Sequence, residues 1–308
     1  MTDTNGYRDL FYSAQDGLRL HARLYGTAGQ GALTAVCIPG LTRNARDFHE
    51  LALFLACHDK SPRQVIVFDL RGRGASAHDP HWHNYNVLVE AGDVLAGLAA
   101  AGVEHGAFIG TSRGGLIMHV LAGMRPGAMK AGILNDVGPV IEGEGLAQIR
   151  TYLERAPTPR TWDEAIAIMA QAMKDPFPAL GPADHERSAR ALYRDEGGKP
   201  VADHDPNLLK TLTGLDLSQP LPVLWPQFVG LTAMPLMTIR GANSRLLSQA
   251  TVDQMREYAP SMETVTVAGQ GHAPLLETGE LPAIIAEFLG RVDKGKARAA
   301  REPATAKG

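Results

Sequence analysis

Two cysteines, Cys37 and Cys57, are too few to build a disulfide framework in a chain of 308 residues. Cys37 lies in an apolar run, so both are read as reduced core thiols of a cytosolic protein. Charge of one sign is missing too. Thirty lysines and arginines stand against 33 aspartates and glutamates, a net charge of −3. No whole-chain field therefore draws the protein to nucleic acid or to an anionic membrane. No apolar run approaches the about 20 residues that span a bilayer. The opening Met1-Thr2-Asp3-Thr4-Asn5-Gly6 is polar and lacks the apolar stretch of a signal peptide, which points to the cytoplasm. Internal repeats are absent. What remains is 44 % hydrophobic and 20 % charged, the make-up of a globular chain with a large core.

Short apolar runs alternate with helix-compatible ones. A hairpin is expected over Tyr7 to Tyr25, turning at Gln15-Asp16-Gly17. Strands are expected at Ala32–Ile38, Val65–Phe68, Gly106–Ile109, Ala131–Leu134, Pro235–Ile239 and Thr264–Val267. Their apolar character is continuous rather than alternating, which suits a parallel sheet covered on both faces. Helices are expected at about Ala45–Ala56, Val87–Ala101, Ser248–Tyr258 and Leu281–Val292. From Val140 to Val229 the alternation stops, and helical segments are broken by Pro157, Pro159, Pro176, Pro178 and Pro182. That stretch reads as a helical cap inserted after the sixth strand. The expected division is a core over 1–139 and 230–292, a cap over 140–229 and a basic disordered tail over 293–308.

Gly110-Thr111-Ser112-Arg113-Gly114-Gly115 sits between an apolar strand and a helix. A G-x-S-x-G at such a turn lifts a serine hydroxyl above the strand ends, and its glycines let strand and helix approach. An unactivated serine is a poor nucleophile. It needs an imidazole to take its proton, and usually a carboxylate to orient that imidazole. His272, in Gly269-Gln270-Gly271-His272, follows another strand, and strand ends of an open parallel sheet converge on one crevice.

At this point the sequence resembles the α/β-hydrolase superfamily over about Tyr7–Val292. The matching residues are Pro39-Gly40-Leu41-Thr42, Asp69-Leu70-Arg71-Gly72-Arg73-Gly74-Ala75-Ser76, Gly110–Gly114 and Gly271-His272. The resemblance implies a mostly parallel, doubly wound α/β sheet with a helical cap. It also implies Ser112 as nucleophile, His272 as general base, and the N–H groups of Leu41 and Arg113 as the oxyanion hole. The acid departs from the pattern. Relatives tend to carry an aspartate near the position of Arg245, and no carboxylate lies between Arg240 and Thr251. Asp136, after the preceding strand, is the leading replacement, with turn capping before Gly138-Pro139 as its other reading. Asn243 is kept as a neutral acceptor; Asp253 falls in a helix.

Trp82, Trp225 and Phe228 are candidates to line an acyl pocket, as are Trp162 and Met169, although each suits core packing as well. His78, His81 and His83 share one polar loop without a carboxylate pattern, so no metal is expected. Asp69 is expected to tie down its loop. The sequence thus points to a serine hydrolase of a carboxylic ester or related acyl bond, without a cofactor. Its partner would be a small-molecule substrate, and a homodimer is left open. C–C bond or lactone hydrolysis on the same residues stays open. So do a non-catalytic ligand-binding protein, suggested by Arg245, and a cofactor-free oxygenase or transferase.

Overall fold

The computed structural model describes residues 6–28, 31–216, 219, 221–295 and 304–306. Strands β1 (Tyr7–Ser13) and β2 (Arg19–Tyr25) form an antiparallel hairpin, with Tyr7 opposite Tyr25. Next come β3 (Ala35–Ile38), α1 (His49–Ala56), β4 (Val65–Asp69), α2 (Val87–Ala100), β5 (Gly106–Thr111), α3 (Arg113–Met124) and β6 (Met129–Asn135). An insertion follows: α4 (Gly143–Arg155), α5 (Trp162–Met173), α6 (Pro182–Leu192), the hairpin β7 (Tyr193–Glu196) and β8 (Lys199–Ala202), and α7 (Lys210–Thr213). The chain returns through α8 (Trp225–Leu231), β9 (Leu236–Gly241), α9 (Gln249–Tyr258), β10 (Glu263–Val267), α10 (Leu281–Asp293) and β11 (Ala304–Ala306).

One sheet runs β1-β2-β4-β3-β5-β6-β9-β10-β11. Its first two joins are antiparallel, and every pair from β4 to β11 is parallel. The central strands β3 and β4 are short and buried at every residue because both faces of the sheet are covered there. Alternate residues divide between two cores. Val36, Ile38, Ile66, Phe68 and Phe108 pack with α2, α3, α8 and α9. Ala35, Cys37, Val65, Val67 and Ile109 pack with α1 and α10. Helix starts follow capping chemistry. Asn86 accepts from Leu88 and Val89 N–H ahead of α2, and Ser248 accepts from Thr251 N–H ahead of α9.

The insertion has a small core of its own, with Met169, Met173, Phe177, Ala189 and Leu192 between α5 and α6. Prolines punctuate it as helix breakers do: Pro182 is the first residue of α6, and Pro176 and Pro178 separate α5 from α6. The hairpin β7–β8 carries no apolar alternation and lay hidden in a stretch read as helical. The expected bound at 229 also shifts. Trp225, Phe228 and Leu231 of α8 pack in the main core, so α8 belongs to the core and not to the cap.

Two further expectations change. Cys57 is exposed just after α1, so only Cys37 is a core thiol. The tail expected to be disordered lies mostly outside the described residues, but Asp293 closes α10 and residues 304–306 form an edge strand. Asp293 also pairs with the buried Arg63 at 2.9 Å. Among the described residues no helix is long and apolar enough to cross a membrane.

His119 gives the core a pH dependence. It is fully buried in α3, its Nδ1–H donates to the Gly115 carbonyl at 2.7 Å, and its Nε2 has no partner. Burial pulls its pKa from 6.5 to about 4. Above pH 6.5 both folded and unfolded forms are neutral and nothing is lost. As pH falls from 6.5 to about 4 the unfolded imidazole takes a proton that the folded one refuses, so stability drops, by roughly 3 kcal/mol when complete. His21 acts in the opposite sense. Burial alone would lower its pKa, but Asp69 and Asp9 raise it, so its contribution is full below 6.5 and fades as pH rises through the raised value. His119→Leu should flatten the acid limb of a urea-melt stability curve between pH 6.5 and 4; an unaltered limb would contradict this assignment.

Candidate active site

The site begins with a strained serine. Ser112 joins β5 to α3 at φ 52° and ψ −113°. Among the described residues only Ser112 and Asp136 combine a side chain with positive φ. Such backbone costs about 1–3 kcal/mol and persists only where its surroundings enforce it. Here glycines make the turn possible. A Cβ on Gly110 would lie 2.6 Å from the Gly114 and Gly115 backbone, and one on Gly114 would overlap the Ile38 carbonyl. The Ser112 N–H donates to the Asn135 carbonyl at 3.0 Å, which holds the turn against β6.

His272 follows β10 and reaches Ser112 across the sheet ends. Its Nε2 is 2.8 Å from Ser112 Oγ, and its Nδ1 is 2.7 Å from Asp136 Oδ2. With Nδ1 protonated toward the carboxylate, Nε2 is left to accept the serine proton. Buried Gln270 closes the histidine loop. It accepts from Leu275 N–H at 2.9 Å and donates to Thr278 at 2.8 Å. Asn135 joins this loop to the elbow, donating through Nδ2 to Thr111 Oγ1 and to the Pro274 carbonyl, each at 3.0 Å.

Asp136 is fully buried at the end of β6. Its Oδ1 accepts from Gly241 N–H at 2.8 Å, and its Oδ2 accepts from Ser244 Oγ–H at 2.5 Å. Its own N–H donates to the Ile239 carbonyl at 2.7 Å. The turn-capping reading therefore gives way to a carboxylate clamped by the loop after β9. That is the loop in which the resemblance places the acid. Here it supplies donors to the Asp136 carboxylate instead. Gly241 and Ser244 escaped sequence reasoning because a Gly and a Ser in a loop carry no signal of their own.

The rival acids face elsewhere. The Asn243 amide donates to the Pro176 carbonyl at 3.2 Å, and Asp253 accepts from Gln249 on α9 at 2.9 Å. The Arg245 side chain is exposed and pairs with Glu144 of α4 at 2.8 Å. Asp69 ties its loop as expected of it, accepting from the N–H groups of Ala45 and Ala75 at 2.7 and 3.0 Å.

Leu41 lies in the loop after β3 and lines the same cavity as Ser112 and His272. Arg113 is the first residue of α3, where a backbone N–H has no acceptor within the helix and the helix dipole favours negative charge. The Arg113 guanidinium is not offered to substrate. It donates to Glu90 at 2.6 Å and to the Tyr85 carbonyl at 2.9 Å.

The cavity measures about 1610 Å³. Its floor carries Leu41, Ser112 and His272, and the insertion adds Ile149, Tyr152, Met169 and Phe177. Charges ring part of it. Burial pushes the Glu277 carboxyl up despite Arg187 at 3.1 Å. The three aromatic residues expected to line the pocket do not. Trp225 stacks on Tyr258 and Phe228 is buried beside His119, because α8 packs on α3. Trp82 stacks on His83 with centroids 3.9 Å apart. Met169, at helical spacing in α5, does face the cavity.

The sheet order, the serine elbow and the facing histidine define an α/β hydrolase. A family model described as the alpha/beta hydrolase fold matches residues 36–278, and the chain belongs to that family. Among known proteins it is similar to a 3-hydroxybutyrate-oligomer hydrolase of Cupriavidus necator. The two are 30 % identical over 279 residues, 88 % of this chain and 93 % of that protein. An α/β hydrolase of Novosphingobium aromaticivorans is 34 % identical with a TM-score of 0.84, covering 94 % of this chain and 99 % of that one. E-2-(acetamidomethylene)succinate hydrolase, 20 % identical with a TM-score of 0.74, shares the fold over 94 % of this chain and 99 % of its own.

Asp136→Asn should lower kcat on p-nitrophenyl acetate by about four powers of ten, because the imidazole loses its orienting anion. Stability should fall as well. An amide NH2 cannot accept from Gly241, Ser244 and His272 together, and an unsatisfied buried group costs about 1–3 kcal/mol. Near-normal kcat would return Asp136 to a turn-capping role.

Proposed function

We propose that the protein is a serine hydrolase of carboxylic esters, working through an acyl-enzyme. The observation that carries this reading is the hydrogen-bonded series Ser112–His272–Asp136, with links of 2.8 and 2.7 Å, opening onto one cavity. Ser112 Oγ attacks the ester carbonyl while His272 Nε2 takes its proton. Asp136 stabilises the imidazolium and holds its tautomer. The N–H groups of Leu41 and Arg113 receive the oxyanion. The tetrahedral adduct collapses, and the alkoxide leaves with the proton from His272. Water, deprotonated by the same imidazole, then attacks the acyl carbonyl and releases the acid.

The substrate class is an ester of a hydroxy acid, and short oligoesters in particular. Two things support it. A relative 30 % identical to this chain is named for 3-hydroxybutyrate oligomers. The cavity of about 1610 Å³ also exceeds the space a single small acyl group fills, so it has room for more than one repeating unit on either side of the scissile bond.

Ser112→Ala should leave the fold intact and abolish hydrolysis of 3-hydroxybutyrate dimers and trimers, followed by chromatography of the released monomer. Labelling by a fluorophosphonate should disappear with it. Hydrolysis at most of the wild-type rate by Ser112→Ala would exclude the mechanism. Cleavage of p-nitrophenyl esters without cleavage of the oligomers would exclude the substrate class alone.

A further inference from the structure

The two residues assigned to the oxyanion hole follow different strands: Leu41 lies in the loop after β3, and Arg113 opens α3 after β5. Their N–H groups must meet one oxygen, which tolerates little drift. Neither segment alone can set that distance. One buried side chain is bonded to Arg113 directly and to Leu41 through Arg73.

Glu90 lies on α2 and is fully buried. Its Oε2 accepts from Arg113 Nε at 2.6 Å, and its Oε1 accepts from Arg73 Nη1 at 2.7 Å. Arg73, also fully buried, turns its Nε to the Leu41 carbonyl at 2.7 Å and gives a second bond from Nη1 to the Arg71 carbonyl at 2.6 Å. The path therefore runs from Leu41 through Arg73, Glu90 and Arg113 to the first turn of α3. Tyr85 braces it: its carbonyl accepts from Arg113 Nη2 at 2.9 Å, and its hydroxyl donates to Asp205 at 2.5 Å. Burial opposes ionisation of Glu90, but the two guanidinium groups outweigh it and hold the carboxyl below its usual range. A buried carboxylate shared by two arginines is a poor device for stability, since desolvating three charges is costly. What it does is fix positions, because each carboxylate oxygen holds one arginine by a short charge-assisted bond.

We propose that Glu90 is a positioning residue for the reaction: through Arg73 and Arg113 it sets the separation of the Leu41 and Arg113 N–H groups that receive the oxyanion. This rests on the ester-hydrolase reading above and adds a residue that touches no substrate. Glu90→Asp keeps the charge and shortens the arm by one methylene, so one carboxylate can no longer satisfy both arginines. Glu90→Gln keeps the shape and loses the charge.

The test measures kcat and KM on p-nitrophenyl butyrate per fluorophosphonate-labelled site, with the inhibition constant of a trifluoromethyl ketone that forms a tetrahedral adduct. Both variants should lose about 10- to 100-fold in kcat with KM nearly unchanged, part of the loss seen on deleting an oxyanion donor. The inhibition constant should rise in step. Asp293→Asn, which breaks the buried pair with Arg63 far from the elbow, should lose stability and keep kcat. Should the Glu90 variants fail to fold, Arg113→Lys retains the backbone donor and loses the fork, and is expected to show the same split. Undiminished kcat per labelled site in Glu90→Asp, or in Arg113→Lys where that stands in, overturns the proposal and leaves the hydrolase reading intact. No label on wild-type Ser112 overturns both.

Discussion

The Asp136 carboxylate is the point on which the site depends. It is fully buried and sits on positive-φ backbone at the end of β6. Three donors converge on it: Gly241 N–H, Ser244 Oγ–H and the His272 imidazole. An unpaired carboxylate at such depth would be neutral or badly destabilising. Paired in this way it joins the loops after β6, β9 and β10. The same contacts that make it tolerable in the core fix where the imidazole stands. The strain at Asp136 and at Ser112 is then a consequence of the sheet, since neighbouring strand ends hold both residues in place.

Above this floor the insertion contributes side chains to the cavity lining. Met169, Met173 and Phe177 belong both to its small core and to the cavity lining. Ion pairs tie it to the core at several places. Arg46 reaches Asp203 at 2.6 Å, Arg187 reaches Glu277 at 3.1 Å, and Arg245 reaches Glu144 at 2.8 Å. Arg245 and Glu144 are largely exposed, and a pair of that kind contributes about 0–1 kcal/mol. Position of the insertion is therefore better secured by buried contacts such as the Asn44 amide on the Ala191 carbonyl at 2.9 Å.

Much of the fold was legible because both cores impose short apolar strands between amphipathic helices. Gly110–Gly115 announced its turn by composition, and Ser112 and His272 followed from local motifs after strands. In sequence Asp136 stands only as the leading replacement beside the pattern the resemblance implies, with turn capping and Asn243 left open, and its clamp is not legible at all. Gly241 and Ser244 act through a backbone N–H and a hydroxyl whose partner lies more than 100 residues away. Trp225 and Phe228 misled because an aromatic residue looks alike in a pocket and in a core; the packing of α8 on α3 decides it. The β7–β8 hairpin stayed hidden because Tyr193–Glu196 and Lys199–Ala202 are short and polar, and their pairing is tertiary. Glu90 carries no signal of its own within the expected helix Val87–Ala101. Its two partners, Arg73 in the loop after β4 and Arg113 at the start of α3, come to it only in the fold.

The central claim is that Ser112 carries the acyl group, and mass spectrometry of the quenched reaction tests it most directly. Enzyme mixed with excess p-nitrophenyl ester, acid-quenched before steady state and digested, should yield the Ser112 peptide heavier by one acyl group. A burst of about one p-nitrophenol per chain should accompany it. Ester turnover with an unmodified Ser112 peptide and no burst, or with the acyl group on another residue, would contradict the account.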